Sequence, residues 1–266
     1  MNIVFRIALL LTACLTGVAA SAGEDLEVDI ELVLAVDVSR SMTPRELEIQ
    51  RRGYAEALVS DEVLAAITNG FLGRVALTYM EWAGDQRVVV EWSLVASKAD
   101  AQRFAAQLTA KFDPTLRRTS ISGALDFAAT LFDGNGFAGL RRVIDVSGDG
   151  PNNRGRRVDA ARDDVVAAGI VINGLPLMTR EGMGSQWHLD DLDEYYRECV
   201  IGGPAAFVIP VLEWPHFPEA VRAKLVLEIA QVVLPSATEQ IVQAAGYDCL
   251  VGEKIWRDLQ DDWGNP

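Results

Sequence analysis

The chain has 266 residues, half of them hydrophobic, enough for one well-cored domain with an appendage and too apolar for a disordered polymer. Its formal charge of −14 argues against nucleic acid or an anionic membrane surface as partner, since both need a basic face. A solvated acidic surface and cation binding both remain compatible with that charge.

Residues 1–22 read as a secretory signal. Arg6 is the lone charge, 7–18 are apolar, and Ala20 and Ala22 fit the small-residue cleavage rule. The apolar run falls short of the roughly 20 residues that a membrane span needs. Export to the periplasm or the exterior is expected. A lipobox-like "LTAC" ending at Cys14 offers lipidation as the alternative, but the residues after Cys14 stay apolar. Once the leader is removed, two cysteines remain, Cys199 and Cys249. An even count in an oxidising compartment predicts one disulfide; two separate buried thiols are the alternative.

Residues 32–36 form an apolar run that reads as a strand buried on both faces. Thr43 then offers an N-cap, Pro44 a first helical residue and Glu46 a capping box. Leu47, Tyr54 and Leu58 recur at helical spacing. Two β-rich runs, 74–83 and 86–95, flank Gly84-Asp85 and predict a hairpin. Helices are expected over 97–108 and 119–132. A strand over 141–150 ends in "SGDG", and a helix over 157–169 closes on Gly169. A strand follows over 170–178. An insertion, 179–204, holds a short helix near 191–199. A last strand covers 205–211, and an amphipathic helix covers 218–233 with Val221, Leu225, Ile229 and Val232 on one face. The tail carries a helix near 253–259. Alternating strands and helices around one hairpin mean an α/β sandwich on a mostly parallel sheet.

In such sheets ligands bind beyond the carboxyl ends of strands, where Asp37 and Asp149 both sit. Each candidate also has a plain structural reading. Asp and Ser make turns and caps, Thr119 can simply cap its helix, and Asp149 can be a turn acid between glycines chosen for their backbone freedom. Since Thr43 takes the capping job, Ser39 and Ser41 are left without it. Alternate positions on an extended segment point the same way, so oxygens of Asp37, Ser39 and Ser41 can converge above the strand end.

The order D-x-S-x-S (Asp37, Ser39, Ser41), then Thr119, then Asp149, resembles the von Willebrand factor A domain and its metal-ion-dependent adhesion site. The resemblance covers roughly residues 29–234. It implies a doubly wound three-layer α/β sandwich around a six-stranded, mostly parallel sheet with one antiparallel edge hairpin strand. It also implies a divalent cation held by those five residues, Mg²⁺ with Mn²⁺ or Ca²⁺ as alternatives, and a partner protein whose Asp or Glu carboxylate completes the coordination. "SGDG" stands where that family has a "TDG"-like turn, and neither the 179–204 insertion nor the tail is standard. The whole chain is similar to an exported bacterial family of unknown function carrying such a domain (DUF1194-like). Mg²⁺ prefers about six oxygen ligands, and neutral hydroxyls leave it electrophilic. Soft zinc ligands are scarce: the chain has two histidines, His188 and His216, and no closely spaced cysteine pair.

The expected organisation is a leader over 1–22, a von Willebrand A-like domain over 23–234 and a C-terminal extension over 235–266 packed on it. The expected function is an exported, non-catalytic, cation-dependent protein-interaction module. Two alternatives stand beside it. "DVSRS" and "SGDGPNN" resemble haloacid-dehalogenase-type phosphatases with Asp37 as nucleophile, but Ser39 replaces the second acid and Asn153 the last one, so the proton donor is missing. A structural domain with a vestigial site is the other. Asp145, within a predicted strand, is expected to pair with an arginine or to face a sheet edge. Trp82 and Trp92 are expected in packing, and the acids of 190–194 at a solvated helix start.

Overall fold

The computed structural model describes residues 24–109, 118–179, 189–230 and 246–264, with side chains to 261. The leader, His188, Val232 and most of the 179–189 stretch lie outside them. In chain order the elements are β1 (Leu26–Val28), β2 (Glu31–Asp37), α1 (Pro44–Leu58), α2 (Asp61–Thr68), β3 (Val75–Trp82), β4 (Gln86–Val95), α3 (Lys98–Thr109), α4 (Ile121–Thr130), β5 (Phe137–Gly139), β6 (Arg142–Gly148), α5 (Val158–Ala167), β7 (Ile170–Pro176), α6 (Leu192–Tyr195), α7 (Phe217–Ala230) and α8 (Val251–Gly264).

The sheet runs β4-β3-β2-β6-β7, with β4 antiparallel to β3 and the other pairs parallel. Central β2 is buried along its whole length, which its unbroken apolar run requires. Its side chains alternate between two cores. Leu32, Leu34 and Val36 pack with Leu47, Tyr54, Phe104 and Leu225 under α1, α3 and α7. Val33 and Ala35 pack with Ile121, Leu125, Val158 and Ala161 under α4 and α5. Each fully buried Val, Leu or Ile among them contributes about 1.5–3 kcal/mol. Tyr54 anchors the first core edge-on to Tyr79 and Phe217, at 5.8 and 5.9 Å between ring centroids.

α1 starts where its capping signal lies: Glu46 N donates to Thr43 Oγ1 at 3.3 Å, and Thr43 N donates to Glu46 Oε2 at 2.6 Å. α2, capped by Ser60, was not expected. Nor was the small parallel pair β1–β5; three-residue strands carry too little periodicity to be read. The sixth strand of the expected sheet does not form as a regular element. Residues 205–211 do run along β7, with Ile209 N donating to Gly174 O and isolated parallel bridges at Val208 and Val211. Pro210 cannot donate to a ladder and Ala205 holds a positive φ of 56°, so pairing stays interrupted.

Buried acids on the sheet meet cations. Glu81 on β3 is paired with Arg51 and Arg87, and Glu31 on β2 with Arg142 at 3.4 Å. Asp145 pairs with Lys224 of α7 at 2.7 Å rather than with the expected arginine. α7 brings that lysine over β6, and Lys224 also pairs with Glu228. Trp82 and Trp92 are packing residues that donate to Ala35 O and Leu131 O. Cys199 and Cys249 form a disulfide that ties the segment before α8 to the turn after α6. No helix among the described residues is long and apolar enough to cross a membrane.

Candidate functional site

β2 and β6 are neighbours, so Asp37 and Asp149 emerge side by side at the carboxyl edge of the sheet. Asp37 is fully buried. Its Oδ1 accepts from Ser39 N at 2.7 Å, an Asx-type turn that curls the chain back over the strand end. That turn sets the two serines in line: Ser39 Oγ lies 2.9 Å from Ser41 Oγ, and Ser41 Oγ donates to Asp149 Oδ1 at 2.8 Å. Ser39, Ser41 and Asp149 therefore form a chain of side-chain oxygens, and Asp37 joins it through the Ser39 N–H.

Thr119 joins through its backbone. Its N–H donates to Asn153 Oδ1 at 3.2 Å, and its carbonyl accepts from Asn153 N at 3.0 Å. Next to it, Ser120 caps α4 and donates from its N–H to Ala83 O, beside the residue that Asp37 faces across β3. Thr119 is thereby held in the corner formed by the 151–154 loop and the end of β3.

The electrostatics of this corner are unbalanced. Burial, with Asp149 beside it, pushes the Asp37 carboxyl well above the ordinary carboxylate range. Asp149 keeps some contact with solvent, yet loss of hydration pushes it up to about 6, Ser41's hydrogen bond opposing and nearby Glu46 adding. The two carboxyls are close enough for the charge of Asp149 to raise the Asp37 carboxyl further. Ionised carboxylates cannot donate, so Asp37 Oδ2 is left buried without a partner. A shared proton or a cation would satisfy both. Unlike Glu31, Glu81 and Asp145, Asp37 has no basic side chain beside it among the described residues. With the Ser39 and Ser41 hydroxyls close by and no thiolate or imidazole, the residues present fit a hard, oxygen-seeking cation. The described residues hold no cluster of three or more His, Cys, Asp or Glu that could hold a metal ion.

Several neighbours escaped the sequence reading. Gln50 Nε2 donates to Asp37 O at 3.1 Å; a buried amide on the apolar face of α1, one turn from Leu47 and Tyr54, was the available signal. Tyr196 brings a buried, unpartnered hydroxyl to the same corner, from a turn whose placement no local pattern announces. Gly148 is required for space rather than for its backbone angle: neither it nor Gly150 has a positive φ. A Cβ at 148 would stand 2.9 Å from Tyr196 Oη and 3.0 Å from both Asp37 Oδ2 and the Trp82 ring. His216 is exposed on the turn before α7.

Solved structures with similar folds include proximal thread matrix protein 1 from the mussel byssus (TM-score 0.56, 13% identity, 78% of this chain and 49% of that one). Another form of that protein is described as having a zinc-occupied MIDAS motif (TM-score 0.53, 14% identity, again 78% and 49%). A von Willebrand factor type A protein from Catenulispora acidiphila also matches (TM-score 0.53, 12% identity, 76% and 43%). The chain thus spans about half the length of the mussel protein and less of the other. At such identities the likeness concerns the fold, which is that of a von Willebrand A domain. Comparison with curated proteins finds no match. The sequence pattern of the family described as "Protein of unknown function (DUF1194)" matches residues 27–233, most of the chain, and the protein belongs to that family.

Proposed function

We propose that this protein is an exported, non-catalytic interaction module that engages a partner protein through a divalent cation. Asp37, Ser39, Ser41, Thr119 and Asp149 would hold the ion, Mg²⁺ first and Mn²⁺ or Ca²⁺ as alternatives. When bound, the cation offers a Lewis-acidic position to an Asp or Glu carboxylate of the partner. The observation that carries the reading is the buried, unpartnered Asp37 Oδ2 facing Asp149 at the end of the Ser39–Ser41 chain.

The chain's own residues support it in three ways. The Asx turn at Ser39 directs both hydroxyls toward the carboxylates. The partly exposed Ser41 keeps the corner open to solvent and hence to a partner. The lacing of Asn153 to the Thr119 backbone fixes that residue against the loop that follows Asp149. A phosphohydrolase using Asp37 gains nothing from this arrangement. Residue 39 is a serine whose hydroxyl is tied to Ser41, so no acid stands two positions on to protonate a leaving group.

Isothermal calorimetry with Mg²⁺ and Mn²⁺ tests the site. The wild type should bind, and Asp37→Ala and Ser41→Ala should not; equal binding by all three sinks the assignment. A pull-down from cell-envelope extract, with Mg²⁺ and with EDTA, then tests metal dependence and names the partner together. Capture that ignores EDTA would favour a vestigial site.

A further inference from the structure

α8 lies beyond the residues matched to the family, yet it touches both loops that carry the second half of the site. Its backbone rests directly on the loop after Asp149: a Cβ built at Gly252 would stand 2.0 Å from the carbonyl oxygen of Asn152. One residue on, Glu253 Oε1 accepts from Asn152 Nδ2 at 2.7 Å. Asn152 is fully buried, and its Oδ1 accepts from Ser122 N in the first turn of α4, so the same amide joins α8 to the helix that Thr119 precedes.

At its next turn α8 presents Trp256 to Arg118, whose guanidinium carbon lies 5.5 Å from the ring centroid. Arg118 immediately precedes Thr119 and holds a positive φ of 72°. A non-glycine residue keeps such a conformation only where its surroundings impose it. The approach to α8 is anchored as well, by the Cys199–Cys249 disulfide and by Tyr247 against Tyr195, whose hydroxyl accepts from Asn152 N.

We propose that α8 is a positioning element for the cation site: Gly252, Glu253 and Trp256 grip Asn152 and Arg118 from outside and so set Thr119 and Asp149 against Asp37. This rests on the cation-site reading above. The helix touches no proposed ligand; it acts through the two residues it holds.

Gly252→Ala separates docking from helix formation. Alanine favours helix over glycine, so α8 keeps its own structure while the added methyl pushes it off Asn152. Trp256→Ala releases Arg118 independently, and Trp256→Phe restores a ring. The readouts, on the purified full chain, are the Mn²⁺ dissociation constant from paramagnetic resonance of the free ion and amide hydrogen exchange. Gly252→Ala and Trp256→Ala should each weaken Mn²⁺ binding about three- to tenfold, at or below the low end of effects seen for residues that orient metal ligands. Exchange should rise at 119–123 and 152–154 and stay unchanged in 32–36, and Trp256→Phe should recover most of the affinity. If the wild type binds Mn²⁺ and both variants bind it equally well, the positioning role is overturned and the cation site stands. If the wild type itself does not bind, the site falls and takes this inference with it. Should Gly252→Ala fail to fold, Trp256→Ala and its phenylalanine rescue decide alone.

Discussion

Asp37 and Asp149 stand at the ends of two neighbouring parallel strands and face one another with no basic side chain beside Asp37 among the described residues. Every other buried acid of the sheet is matched by an arginine or lysine. The fold therefore holds repulsion at this one corner, and what relieves it determines how the protein responds to ions and to mutation.

Asp37→Asn removes that pairwise repulsion while keeping the shape. In EDTA at pH 8 it should raise stability by about 1 kcal/mol, the lower end of the gain when buried charge gives way to neutral groups. In millimolar Mg²⁺ the order should reverse, because the variant loses stabilisation by binding. Thermal unfolding of both proteins under both conditions measures this. A variant that gains as much from Mg²⁺ as the wild type would falsify the role of Asp37.

Gly148→Ala tests the packing behind the site. Its methyl has no room between Tyr196, Asp37 and Trp82, and overpacking of this kind costs about 1–3 kcal/mol. The denaturant midpoint should fall accordingly.

Lys224→Met isolates the buried pairings under α7. It leaves Asp145 and Glu228 side by side without their cation, which should cost about 3–5 kcal/mol. Chemical denaturation gives the number. A loss below 1 kcal/mol would mean that both acids are neutral in the folded protein.

The same cluster makes a pH prediction. Burial pushes Glu228 up to about 7, Lys224 opposing and Asp145 adding, while Asn173 donates to it at 3.0 Å. The folded chain then keeps a proton that the unfolded chain has already lost. The stabilisation is complete below the ordinary glutamate range near 4.5 and disappears as pH climbs through about 7. Glu228→Gln should flatten this slope by an amount on the order of 1–3 kcal/mol between pH 4.5 and 7.5. Unfolding curves across that range, compared pairwise, reveal it; parallel curves for the two proteins rule it out.

Removing the Cys199–Cys249 bond opens a loop with a sequence separation of 50 residues. Loop entropy places the cost at roughly 4 kcal/mol or less. Cys199→Ser with Cys249→Ser should lower the unfolding midpoint, and a reducing agent should lower that of the wild type but not of the variant.

Most of the frame was readable before any coordinates because its signals are local. A continuous apolar run makes a strand buried on both faces, and Thr43, Pro44 and Glu46 start a helix within four residues of one another. β1, β5 and α2 were too short or too weakly patterned to stand out. The sixth strand failed because Pro210 and Ala205 interrupt pairing in a segment whose apolar run looked sufficient.

By itself the sequence determined the α/β class, the candidate residues and the cysteine pair open to bonding, since composition, spacing and count are properties of the linear chain. Tertiary structure alone decided that Ser41 reaches across 108 residues to Asp149, that Lys224 rather than an arginine meets Asp145, that Gly148 serves space and not angle, and that α8 lies on the loops beside the site. Those are contacts between strand ends, helix faces and loops far apart in the chain. No local propensity encodes them; they arise when β2 and β6 pair and the helices close over the two cores.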